Sequence, residues 1–456
     1  MREEDWARFR VYAPRVRVVT NHSEPDALAT PVLKQLHSIK PPIISLLPNL
    51  RNVAFTVCTT DSIVYPSLVI SEALEQLSLK LASSASSSYG GRTSVSEMDH
   101  PHVQRIPLWL QHLSEHSPNL RSFELTWYKM TSRKAAALSE TLAALPKLER
   151  VQLKMGGEIT SAVPVLSKLT TLREVHLLAV DDFRGWRNTD PKTSKLVTAQ
   201  STTGFPNVEI LGLSYASHHI LRMLNLFENS PLHELHLRMG DMVPALVLPI
   251  AQSIASHFST TLTKLRITRV DAFAGKSCIS SFEPLFSIPG IEQFTISGLP
   301  TGMNITNEDL VHVGHSWPRL KHLDFCYAFE HASYPKTSNL AGLLSLVGLC
   351  EELEYLGIQV DASYIPPLKQ VPVPQHRSRL KVLDVGSYSS IEDVIKVLEV
   401  LKQYSPSLRR IKAGGNGGLK SRGCVLRWRA VESILRGETT ADAYEALLRA
   451  EGDEVV

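Results

Sequence analysis

The stretch Pro146-Lys147-Leu148-Glu149-Arg150-Val151-Gln152-Leu153 is answered 24 residues on from Leu148 by Leu172-Arg173-Glu174-Val175-His176-Leu177. Both passages carry the hexad Φ-x-x-Φ-x-Φ, with Φ apolar, and a helix-like piece through Val165, Leu166 and Leu169 lies between them. Alternating apolar positions describe a short strand with one buried face. The unit is therefore a strand, a turn and a return segment, written twice.

The same hexad starts at Leu50, Leu74, Leu120, Leu148, Leu172, Val208, Leu232, Leu262, Ile291, Leu320, Leu353 and Leu380, with a weaker Leu408-x-x-Ile411. Its mean spacing of about 30 residues sits at the upper end of the leucine-rich-repeat period. The 46 residues from Leu74 to Leu120 leave room for a skipped or inserted unit. Pro48, Pro118, Pro146, Pro206, Pro231, Pro318 and Pro406 stand just before a hexad. Proline lacks an N–H and disfavours helix at the preceding residue, so it stops a return helix there.

One such unit cannot bury its apolar face alone, so neighbours must stack. The expected fold is α/β, a leucine-rich-repeat solenoid or horseshoe with parallel strands on the concave face and helices outside. The strict repeat places Asn or Cys three positions after the last strand leucine, and of the positions read there only Cys58 conforms. Degenerate units with long loops are expected.

Three segments follow from this register. Residues 1–47 form an N-terminal cap and first unit, with Trp6, Phe9 and Tyr12 on a helix, a strand from Val16 to Val19, and Leu33, Leu36 and Ile39 on the first return helix. Residues 48–412 hold the repeats, interrupted near 81–105, 181–205 and 361–379. Residues 413–456 form a helical cap, with Val425, Trp428, Val431, Ile434 and Leu435 at helical spacing, and an acidic tail.

A net charge of +3 is too mild to indicate a nucleic-acid partner. The five cysteines are scattered and lack any C-x-x-C pair, which points to reduced thiols. With no apolar signal core and no run of 18 apolar residues, no membrane span is expected, and an intracellular protein of cytoplasm or nucleus is the reading.

Chemical motifs are sparse. Gly275-Lys276-Ser277 resembles the end of a phosphate loop, but Val270 stands where the first glycine is required. His112-Leu113-Ser114-Glu115-His116 matches H-x-x-E-H, a pattern that places two imidazoles on one helix face with a carboxylate beside them. Its position, one turn before Pro118, reads as a solvated helix end, so no metal, cofactor or catalytic residue is expected.

Strand alternation instead nominates a binding face made of the residues between and beside the apolar ones. Gln76, Ser78 and Lys80, then Ser122, Glu124 and Thr126, lead to Arg150, Gln152 and Lys154. Arg150, Lys154, His176, His236, Arg238, Lys264, Arg266 and Asp324 are the candidate contacts, with Glu174 and Glu234 interrupting the cations. Arginine forks pair carboxylates bidentately, so the expected ligand is an acidic segment of a protein.

Asp5-Trp6-Ala7-Arg8-Phe9 with Tyr12-Ala13-x-Arg15-Val16-Arg17, Leu46-Leu47-Pro48-Asn49-Leu50 and Trp317-Pro318-Arg319-Leu320 resemble the repeat region of the F-box-like proteins of mushroom-forming fungi. The resemblance covers roughly residues 4–412. It implies that repeats choose a substrate while an F-box docks a Skp-type adaptor of a cullin–RING ubiquitin ligase. No F-box fits before Asp5, so a stand-alone interaction scaffold is the other reading.

Overall fold

A computed structural model describes residues 3–21, 46–57, 70–81, 105–127, 132–155, 162–179, 204–215, 217–239, 244–269, 277–297, 303–325, 338–365, 378–387, 389–414, 422–440 and 443. The chain divides into two compact units, residues 1–214 with 226–230, and residues 215–225 with 231–456.

The first unit holds β1 (Val18–Asn21), β2 (Asn52–Val57), β3 (Gln76–Leu81), β4 (Ser122–Trp127), β5 (Arg150–Met155), β6 (Glu174–Ala179) and all but the last residue of β7 (Ile210–Tyr215). Each pairs in parallel with the next, and equivalent hexad positions meet, as Val151 with Val175 and Leu153 with Leu177. β3 pairs directly with β4, so no strand stands between them in the sheet, and the helix Arg105–His116 lies within the 46-residue interval.

The second unit repeats the plan with β8 (Glu234–Met239) and β9 (Lys264–Arg269). The short β10 (Ser277–Cys278) precedes β11 (Gln293–Ser297), and β12 (Met303–Asn304) precedes β13 (His322–Asp324). β14 (Tyr355–Gly357), β15 (Asp361–Ala362), β16 (Val382–Gly386), β17 (Ser390–Ile391) and β18 (Arg410–Ala413) follow. The parallel order is β8-β9-β11-β13-β14-β16-β18, while β10 pairs with β12 and β15 with β17. Return segments include the helices Pro244–Phe258, Asn307–Ser316, Leu340–Leu349 and Val394–Tyr404.

The hexad leucines form the core. Leu120, Leu148, Leu232, Leu320 and Leu380 are wholly buried, as are Leu113, Leu142, Val313, Leu343 and Leu401 from the helices. Burial of such a side chain contributes about 1.5–3 kcal/mol. The prolines do more than stop helices. Leu50, Leu120, Leu148, Val208, Leu320 and Leu408 each donate a backbone bond to the residue three places earlier, closing a turn with proline in its second position.

In the first unit side-chain ties lie before the strands, whereas the strict repeat puts them after. Ser117 Oγ donates to the Ser71 carbonyl at 2.9 Å and Ser71 Oγ to that of Leu50 at 3.1 Å. Asn119 Nδ2 reaches the Glu72 carbonyl at 2.9 Å. Cys58 lies outside the described residues.

The first helix spans Glu3–Tyr12 and holds Trp6, Phe9 and Tyr12, with Tyr12 60% exposed, and the Ala13–Arg15 turn containing Pro14 follows it. The first strand accordingly begins at Val18, not Val16. Leu33, Leu36 and Ile39 fall outside the described residues. At the other end Trp428, Val431 and Ile434 are buried on the helix Arg422–Leu435, and Trp428 Nε1 donates to the Ser389 carbonyl at 3.1 Å.

Candidate protein-binding face

Strand pleating exposes the third, fifth and seventh hexad-frame positions, and the burial of β5 and β6 alternates accordingly. Thr126 is an exception and is buried. It lies in register between Lys80 and Lys154 on the neighbouring strands.

In the first unit, the candidate cation Arg150 does not stand open. Its Nε donates to Glu174, and the other oxygen of that carboxylate bonds His176 Nε2 at 2.9 Å. Glu174, expected to interrupt the basic set, is its acceptor. His176 lies across β7 because residue 212 is glycine, where an added Cβ would fall 2.1 Å from His176 Nδ1. One strand earlier, Glu124 accepts from both Ser78 Oγ and Gln152 Nε2 at 2.8 Å. Lys154 is half-buried on β5.

The second unit begins similarly. Glu234 accepts from Lys264 Nζ at 3.2 Å and bonds His236 Nε2 at 2.8 Å. Partial burial works against its charge, yet the Lys264 bond and the adjacent His236 hold its carboxyl below the usual range. Arg238 is on the same strand. Beyond β8 the pattern changes. Arg266 is exposed, and among the described residues its side chain makes no ion pair or hydrogen bond. His322 and Tyr355 stack nearly flat, 4.2 Å between centroids, and Lys412 Nζ sits 5.1 Å from the Tyr355 ring centre. Tyr355 Oη donates to Asp384 at 3.1 Å. Burial, then Arg266 and Lys412, push the His322 imidazole below its ordinary pKa, so it is neutral at pH 7. Asp324 leans over Gly357, where a Cβ would meet its Oδ1 at 2.5 Å.

A second feature was legible in the sequence and passed over. Position two of the hexads alternates in sign, as Arg51, Glu75, Arg121, Glu149, Arg173 and Glu209 in the first unit and Glu292, Lys321, Glu354 and Lys381 in the second, with His233 and uncharged Thr263 breaking the run between them. In-register parallel strands stack equivalent side chains, so like charges would repel and opposite charges pair. Arg121 meets Glu149 at 2.7 Å, and Arg173 bonds Glu209. In the second unit Lys321 meets Glu292 and Lys381 meets Glu354, both at 2.8 Å. The alternation fails at Arg409, which follows Lys381 in register and lines an open groove with Arg410, Glu432 and Arg436.

Of the candidate contacts, the first unit thus brings Arg150 together with His176, and the second gathers His236 with Lys264. Arg266 stands near His322, whose stacking on Tyr355 the strand pattern alone does not reveal. Among the described residues, no helix is long and apolar enough to cross a membrane.

Parallel in-register strands, one per repeat of about 30 residues, with helical return segments between many of them among the described residues, define an α/β leucine-rich-repeat solenoid. Among solved structures the chain is similar to the crystal structure of the Rad7 and Elc1 complex in yeast, at 16% identity and a TM-score of 0.43, over 92% of this chain and 91% of that one. It is also similar to the TLR13–ssRNA13 complex, at 14% identity and a TM-score of 0.39, over 81% of this chain and 47% of that one. No protein-family model matches the sequence, and no curated protein does.

Proposed function

We propose that this chain is a non-catalytic, protein-binding repeat domain, and that it is the substrate-recognition part of an F-box-type ubiquitin-ligase receptor. The observation that carries the binding reading is the open strand face of the second unit. There Arg266 and Arg410 are exposed with no side-chain partner among the described residues, beside the His322–Tyr355 stack and Lys412. Such a strip suits an acidic protein segment, since arginine forks take carboxylates and flat rings add contact area at little entropic cost. The ubiquitin link rests on the sequence resemblance and needs an F-box outside these 456 residues to dock a Skp-type adaptor.

The test is purification of the endogenous product with a C-terminal tag, followed by mass spectrometry, alongside the double variant Arg266→Glu/Lys412→Glu. A Skp-type adaptor and a cullin should co-purify with both forms, while the remaining partners fall about a hundredfold with the variant, on the order of one decade per reversed contact. Charge-sensitive partners without an adaptor would make the chain a stand-alone scaffold. Partners indifferent to the reversal would remove this face from the reading.

A further inference from the structure

The helix Arg105–His116 carries the one chemical motif that the repeat does not absorb. We propose that His112, Glu115 and His116 form a binding site for a divalent transition-metal ion of the zinc type, independent of the face described above.

Residues three and four apart share one helix face, and here the geometry is realised. One ligand atom from each of the three side chains lies within 4.8 Å of the others. The two imidazole centroids are 4.1 Å apart, with planes tilted by 45°. His116 Nδ1 is 3.1 Å from the His112 carbonyl. A carbonyl only accepts, so Nδ1 is the donor and Nε2 is the nitrogen left for a ligand bond. Metal-bound histidines are commonly oriented by this kind of bond on the other ring nitrogen.

Glu115 Oε1 accepts from Gln111 Nε2 at 2.9 Å, which fixes the carboxylate and leaves Oε2 open. Two imidazoles and one carboxylate are the donor types zinc accepts, and its fourth position would take water or a ligand from a partner. Donors around zinc lie about 3.3 Å apart, given bonds near 2.0 Å, so modest side-chain rotation completes the site.

The full 456-residue chain, stripped with chelator, would be titrated with zinc chloride by calorimetry and with cobalt(II) by visible absorption. The tightest site should weaken about tenfold or more in His112→Ala and in His116→Ala, and less in Glu115→Gln. Zinc should raise the melting temperature of the parent but not of the histidine variants. Alanine is the better helix former, so circular dichroism should find those variants folded. If they are not, proton–nitrogen spectra of the parent's imidazoles decide, because zinc must shift His112 and His116. Equal affinity and an unchanged cobalt spectrum in both variants, or no shift at these two rings, overturns the site.

Discussion

The strand faces of the two units use similar residues to different ends. In the first, Arg150, Glu174 and His176 answer one another across β5 and β6, and Ser78, Glu124 and Gln152 do the same across β3 to β5. Lys80, exposed on β3, is an exception. In the second unit Glu234 is matched by Lys264 and His236, but Arg266 and Arg410 lack such partners among the described residues, and Lys412 rests on an aromatic ring. A charge paired across neighbouring strands belongs to the fold and has little left to offer a ligand. One held out without a partner keeps its pairing capacity for another molecule.

The largest way to break this contrast is to remove the floor beneath the second face. Trp317 is wholly buried, packs against Phe294 at 4.8 Å and donates from Nε1 to the Leu285 carbonyl at 3.3 Å. Trp317→Ala should cost about 3–5 kcal/mol in urea unfolding. Hydrogen exchange should show the loss first in residues 285–325, with the first unit's strands still protected.

Acid gives a milder separation. His219, buried on the helix Ser217–Leu224 of the second unit, is lowered to about 4 by burial, His218 and Arg222. An unfolded histidine takes its proton near 6.5, so between these values the unfolded chain binds more protons than the folded one. The contribution is complete above about pH 6.5 and is lost as pH falls towards 4, on the order of 2 kcal/mol. Exchange protection of residues 217–239 measured from pH 7 to 4.5 checks it, and His219→Gln should flatten the dependence.

The smallest effect is the sharpest. Glu174→Gln leaves Arg150 and His176 without their carboxylate and should cost about 1 kcal/mol. Arg266→Gln should leave stability unchanged, within about 0.5 kcal/mol, while still weakening the acidic partner. Chemical denaturation of the two variants side by side decides it. Equal costs would mean that Arg266 is as much a part of the fold as Glu174.

How far the sequence could be read depended on the range of each signal. The hexad needed only six adjacent residues and a count, so the repeat, the parallel strands and the buried leucines were all legible. The alternating ladder from Arg51 to Glu209 was equally available once the hexads were aligned, because identical register makes position two a column of neighbours. The stack of His322 on Tyr355 was not, since it depends on ring rotamers meeting across 33 residues of chain. Nor was the pairing of Arg150 with Glu174, which turned a supposed interruption into an acceptor.

The sequence by itself therefore determined the period, the strand faces and the composition of each column, because those follow from side-chain alternation and proline's fixed geometry. The tertiary structure decided which charges are consumed and which are left over. That outcome depends on distances of a few ångströms between residues 24 to 36 positions apart, such as Arg150 and Glu174 or Arg173 and Glu209. Electrostatic pairing falls steeply over such distances in water, and only the folded register sets them.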